Sequence, residues 1–292
     1  MKRDVFMKQI WIPLLLILCL CGCAKPAEAA DIAATTLPVY EFSAALCQGT
    51  DLTVTRLVTE QVSCLHDYSL NVRQVKAAEA AGVIVISGAG LEDFMGDLLD
   101  NRQIIDASAG IALLCGGEEH EHEGHHHEQD PHIWLDPKNA KLMAENICAG
   151  LSEAYPVCRE TFENNLISLQ NRLDELEKYG KQELSDLSCR EMITFHDGFS
   201  YFANAFDLTI LEAVEEESGA ETSAKELISL IQIAQEHHLP AIFTEQNGSV
   251  SAAGILSRET GAKSFALDMA MSGDSYFSAM ERNIDSIKEA MG

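Results

Sequence analysis

The chain has 292 residues, is 47% hydrophobic and carries a formal net charge of −26, enough length for one large domain or two lobes with separate cores. Lys and Arg number 20 against 46 Asp and Glu, which makes a nucleic acid an unsuitable partner. An acidic surface attracts cations in general, but by itself it assigns no function.

The N-terminus has a basic start, Lys2, Arg3 and Lys8, then an apolar run from Ile10 to Leu20 broken only by Pro13. That run is too short to span a bilayer comfortably and predicts a secretory signal peptide over residues 1–22. Its end, Leu20-Cys21-Gly22-Cys23, resembles the lipobox of bacterial lipoproteins, which implies a lipidated Cys23 that anchors the chain to a membrane face without spanning it. The plainer alternative is a secreted protein cut near Ala29 or Ala30. Residues 23–30 are then a linker.

From residue 31 short apolar runs alternate with helical patterns. IAATTL (32–37), LTVTRLV (52–58), VIVIS (83–87) and IIDAS (104–108) are partly β-branched and bounded by Gly or polar residues, so each predicts a buried strand. VRQVKAAEAAG and LEDFMGDLLDN between them have helical spacing. Then comes EEHEHEGHHHE (118–128), with five His, five Glu and one Gly, so it holds half of the ten histidines in the chain. It offers nothing apolar to pack and no period to fold on. Asp136-Pro137 predicts the start of a helix that runs toward Tyr155. Phe162, Leu166, Leu169, Leu173 and Leu176 then mark one long amphipathic helix from Cys158 to about Leu187.

The second half repeats the pattern, with strands at EMITF (191–195), LTILEAV (208–214), AIFT (241–244) and KSFAL (263–267). Ser223-Ala224-Lys225-Glu226 is a capping box, and a last helix starts near Ser275. The fold class is therefore α/β: two parallel-sheet lobes of about four strands, helices on both faces, joined by a long rigid helix. The divisions are an N-terminal lobe at 31–156 that includes loop 118–128, a bridging helix at 157–188 and a C-terminal lobe at 189–292. Six cysteines follow the leader and its lipobox, with no C-x-x-C pair among them. Cys64 and Cys115 lie near histidines, but free or disulfide-bonded structural cysteine is the expectation for all six.

Parallel sheets bind ligands at the carboxyl ends of their strands. His196 ends EMITF and Glu245 ends AIFT; His66 follows LTVTRLV by a short polar loop, and His132 lies in DPHIWLDP. Three imidazoles and a carboxylate meeting between two lobes suit four-coordinate zinc. Each also has an ordinary reading. His66 alone reads as a surface residue, Glu245 as a polar loop rim, and Asp197 either as a partner of His196 or as a helix N-cap. His237 and His238 read as structural residues at a helix end.

TTLPVYEF, LHDY, ISGAGLEDF, the His-rich acidic loop, DPHIWLDP, TFHDGFSYFANAFDL and IFTEQ followed by RETGAK together resemble the zinc and manganese substrate-binding lipoproteins of bacterial ABC importers. The likeness covers essentially the whole chain after the leader. It implies metal ligands at His66, His132, His196 and Glu245, with His120, His122, His125, His126 and His127 as an accessory low-affinity set. A third His at the place of His196, together with the His-rich loop, points to Zn2+ as the transported ligand rather than manganese. The implied protein is a monomer, not an enzyme, working with an ABC permease and its ATPase. Cys64-Leu65 before the first His and Gln246-Asn247 after Glu245 depart from the family's usual residues and leave Glu245 the least secure ligand. A rival of another class is an extracytoplasmic zinc hydrolase, with three His on the metal and Glu245 as base. A surface metal buffer acting only through the His-rich run is a third reading.

Overall fold

The computed structural model describes residues 30–62, 65, 68–114, 129–214, 222–246 and 251–292. Cys23, His66, Cys64, Cys115 and the histidines of 118–128 lie outside them. The first sheet is β1 (Ile32–Ala34), β2 (Val54–Arg56), β3 (Val83–Ile86) and β4 (Ile104–Asp106), in the order β2-β1-β3-β4 and parallel throughout. The second is β5 (Glu191–Thr194), β6 (Thr209–Ala213), β7 (Ala241–Glu245) and β8 (Lys263–Leu267), in the order β6-β5-β7-β8 and again parallel. Each strand falls inside one of the eight apolar runs, except that β7 runs one residue past AIFT to include Glu245. Alternate side chains enter different cores: Ile32, Ala34, Val83 and Val85 on one face of the first sheet, Ala33 and Ile84 on the other. The second sheet divides likewise, with Met192 and Phe243 on one face and Ile193 and Ile242 on the other. Both faces are covered, so the runs carry no polar alternation.

The helices are α1 (Leu37–Leu46), α2 (Val72–Ala80), α3 (Pro137–Ala154), α4 (Arg159–Glu183), α5 (Ser200–Ala205), α6 (Ala224–Glu236), α7 (Ser251–Thr260) and α8 (Tyr276–Met291). Several starts follow from capping chemistry. Asn71 and Ser223 each form a reciprocal capping box, with Gln74 and Glu226, and the Asp136 carboxylate accepts from Lys138 N ahead of Pro137. Residues 91–101, expected to be helical from their spacing, instead form 3-10 turns from Asp93 to Leu99. At Gly96 the chain takes φ 48°, which no α-helix accommodates. The run 32–37 is shorter as a strand than expected: β1 stops at Ala34, and Thr36 is already the N-cap residue of α1. His237 is the C-cap of α6 and pairs through Nδ1 with Glu191 Oε2 at 2.9 Å. Among the described residues no helix is long and apolar enough to cross a membrane.

α4, 25 residues and about 37 Å long, is more than a strut. Its buried stripe, Phe162, Leu169, Leu173 and Leu176, belongs to one continuous cluster that takes in α1, α3, α8 and the inner faces of both sheets. Each such side chain contributes roughly 1.5–3 kcal/mol by leaving water, and the same stripe serves both lobes. Asn165 on α4 donates to the carbonyls of Leu46 and Gln48, each at 2.8 Å, and so pins the end of α1.

A second connection is the segment 268–275 between β8 and α8. It leaves the second sheet and bonds repeatedly to the first lobe. Leu37 N donates to Met271 O at 3.1 Å, Arg56 Nη1 to Gly273 O at 2.7 Å, and Trp134 Nε1 to Met269 O at 2.8 Å. Glu41 closes the series by accepting from Ser275 Oγ and Tyr276 N. Asn283 on α8 holds the segment's start through Asp268 N and O, and Ala270 takes a left-handed φ of 53°. Such a conformation costs about 1–2 kcal/mol in an L-residue, offset here by the bonds on either side.

Between β1 and β3 the first sheet ends in a closed polar group. Glu92, 3% exposed, accepts from Thr35 Oγ1 at 2.6 Å, Ser87 N at 2.7 Å and Gly88 N at 2.9 Å. Thr36 and Ser87 hydroxyls meet at 2.8 Å. Burial pushes the Glu92 carboxyl up to about 7, against the opposing pull of those three donors.

Candidate metal centre

His132 is built into DPHIWLDP by its own neighbours. Asp130 Oδ1 accepts from His132 N at 2.9 Å and stands 2.8 Å from His132 Nδ1. With the ring proton on Nδ1 directed at Asp130, the Nε2 lone pair is the one available to a metal. Both residues are buried, at 4% and 3% exposure. Asp130 Oδ2 is buried with no hydrogen-bond partner among the described residues, a costly state for a carboxylate that a cation on the adjacent imidazole would offset. Trp134, fully buried, holds the segment from the other side. Its indole reaches Met269 O, and its carbonyl accepts from Tyr276 Oη at 2.8 Å.

His196 arrives from the second lobe, two residues past the end of β5. Its ring lies 5.3 Å from that of His132, centroid to centroid, at 82°. Gly198 makes this approach possible. A Cβ there would stand 2.6 Å from Met269 Cε, 2.8 Å from His196 Cδ2 and 2.9 Å from His132 Nδ1, so any side chain would displace an imidazole. Glu245 closes β7 and is 7% exposed. Its Oε2 stands 3.7 Å from His196 Nδ1, too far for a hydrogen bond. It is close to the separation of about 3.3 Å that two donors adopt around a tetrahedral zinc with bonds of about 2.0–2.1 Å. β5 and β7 are the central pair of the second sheet, where strand order reverses and ligands bind in such folds.

Of the four expected ligands the structure therefore brings His132, His196 and Glu245 together, while His66 lies outside the described residues. Among the described residues no three His, Cys, Asp or Glu groups form a ready-made coordination set; the trio is adjacent rather than closed around a point. The four described cysteines, Cys47, Cys148, Cys158 and Cys189, are free thiols. Asp197 is not the N-cap residue of α5, a place taken by Phe199. Sequence reasoning passed over Gly198, Tyr201 and Met269. The first two sit inside TFHDGFSYF, so the motif flagged the stretch but not the parts played by its glycine and tyrosine. Met269 belongs to the 268–275 segment, which has no local signature.

Comparison with known proteins points the same way. The family described as zinc-uptake complex component A, periplasmic (ZnuA), matches residues 32–290. The zinc-binding lipoprotein AdcA of Streptococcus pneumoniae is 32% identical over 294 residues, covering 94% of this chain and 58% of that protein. The zinc-binding protein AdcA of Streptococcus pyogenes is 28% identical over 285 residues, 88% of this chain and 55% of its own. The chain thus spans little more than half the length of these relatives. A crystal structure of ZnuA superposes with a TM-score of 0.79 at 29% identity, over 90% of this chain and all of that one. The Zn(II)-bound ZnuA-like domain of S. pneumoniae AdcA superposes at 0.75 and 29% identity, over 90% and 98%.

Proposed function

Because the chain belongs to the ZnuA family of zinc-uptake components, we propose that it is a zinc receptor that captures Zn2+ outside the cytoplasmic membrane. It passes the ion to an ABC permease driven by its ATPase. The observation that carries the reading is the meeting of His132 and His196 from opposite lobes, 5.3 Å apart, with Glu245 3.7 Å from His196. His66 supplies the fourth ligand. Imidazole-rich coordination suits zinc better than manganese, which takes more oxygen. No bond is made or broken; zinc is cargo.

The leader at 1–22 is removed, Cys23 carries the lipid, and 23–30 links the anchor to a monomeric body of two lobes, 31–156 and 189–292, joined by 157–188. One lipid cluster suffices to hold the receptor at the membrane face. His120, His122, His125, His126 and His127 serve as a low-affinity collector in addition to the tight site.

The test is a competition titration of the metal-stripped chain with zinc across pH. Imidazoles bind metal only when neutral, so affinity falls as pH drops through the ordinary histidine range near about 6.5. A flat profile between mildly acid and neutral pH sinks the three-imidazole site. Glu245→Gln separates receptor from hydrolase: the receptor loses affinity, whereas a hydrolase keeps its metal and loses turnover.

A further inference from the structure

One hydroxyl group joins the anchor of the His-rich insertion to the metal centre. Tyr201 lies on α5 in the second lobe and is 3% exposed. Its Oη accepts from Leu114 N at 2.9 Å and donates to Asp130 O at 3.0 Å. Those two residues are themselves bonded, Asp130 N donating to Leu114 O at 3.0 Å. Three hydrogen bonds thus close the two chain ends between which residues 115–129 run. Asp130 is also the residue whose Oδ1 accepts from His132 N and faces His132 Nδ1 at 2.8 Å. Burial raises the Tyr201 phenol above its ordinary range, so the group stays a neutral donor and acceptor at physiological pH.

We infer that Tyr201 is a positioning residue. From the second lobe it fixes the Asp130 peptide, and through Asp130 the orientation of the His132 imidazole. It holds the neck of the insertion against the metal centre in the same stroke. The inference rests on His132 being a ligand. Chain length gives it a distinguishing consequence. Closing a connection becomes costlier with its length, so the fifteen residues from 115 to 129 need the hydroxyl to keep the neck shut. Deleting 118–128 leaves only Cys115, Gly116, Gly117 and Gln129, a link short enough to hold Leu114 and Asp130 together unaided.

The experiment compares the full chain, Tyr201→Phe, the 118–128 deletion and the double variant. Zinc affinity is read by chelator competition, zinc release by stopped flow, and melting is followed in EDTA. Tyr201→Phe in the full chain should weaken zinc by about 10-fold, the scale for groups that orient a metal ligand, with faster release accounting for the loss. In the shortened chain the same substitution should cost about 2-fold or less. A merely structural hydroxyl lowers the melting temperature and leaves the zinc constants unmoved, and that result overturns the inference. So does an equal penalty in both backgrounds. If the unsubstituted chain binds no zinc tightly, the receptor reading fails first and takes this inference with it.

Discussion

The two sheets share one strand order, yet the ends of their central pairs hold different chemistry. At β1 and β3, Glu92 accepts from Thr35, Ser87 and Gly88, and Thr36 meets Ser87. That crevice is filled from within its own lobe. At β5 and β7, His196 and Glu245 stand 3.7 Å apart, and His196 faces His132 of the other lobe. The same topological position can therefore be spent on holding a sheet together or on meeting a ligand. What decides is whether the donors and acceptors find each other inside the lobe. The first-lobe histidine that faces His196 comes from elsewhere: His132 lies beyond the sheet, on the segment that opens α3.

The difference is broken most severely from the second lobe. His196→Ala should cost more than about 100-fold in zinc affinity, exceeding the 10–100-fold scale of groups that merely support a ligand. Chelator competition measures it, and an unchanged constant removes His196 from the site. Gly198→Ala tests the same edge without replacing either proposed ligand. Its Cβ would stand 2.8 Å from His196 and 2.9 Å from His132, so about 10-fold weaker zinc is expected, with about 1–3 kcal/mol of overpacking in the metal-free melt. The first-lobe edge should show the reverse pattern.

Glu92 has a folded value of about 7, raised above its ordinary 4.5 chiefly by burial. A raised carboxyl favours the fold when protonated. The stability it contributes is complete below about 4.5 and is lost as pH climbs through about 7, on the order of 3 kcal/mol in all. Glu92→Gln should flatten that part of the urea-stability profile between pH 5 and 8 while leaving the zinc constant within about 2-fold, since the side chain contacts no ligand. A large loss of zinc affinity in this variant would dissolve the contrast between the edges.

What was legible in the sequence follows from how local the cause is. β3 and β7 are short apolar runs that fit only a strand buried on both faces, and the Ser223 capping box writes its own start. α1 gave no such signal. Leu37, Pro38, Val39, Phe42, Ser43 and Leu46 are all buried, so the helix has no clean polar face and nothing of period 3.6 to detect. At 91–101 the period was present but Gly96 overrode it. The ligands could be nominated because strand ends are readable, and the family likeness sharpened them. The 268–275 segment could not, because its hydrogen bonds run to residues such as Leu37 and Trp134, more than a hundred positions away.

The shared cluster beneath α4 bears on what metal binding between the lobes would do to the fold. Phe162, Leu173, Phe243 and Ile284 are fully or almost fully buried in a core that runs from one lobe to the other. A wide swing of the lobes would wet that interior. Loading and unloading should accordingly leave apolar hydration almost untouched, and the heat capacity of zinc binding should stay near zero.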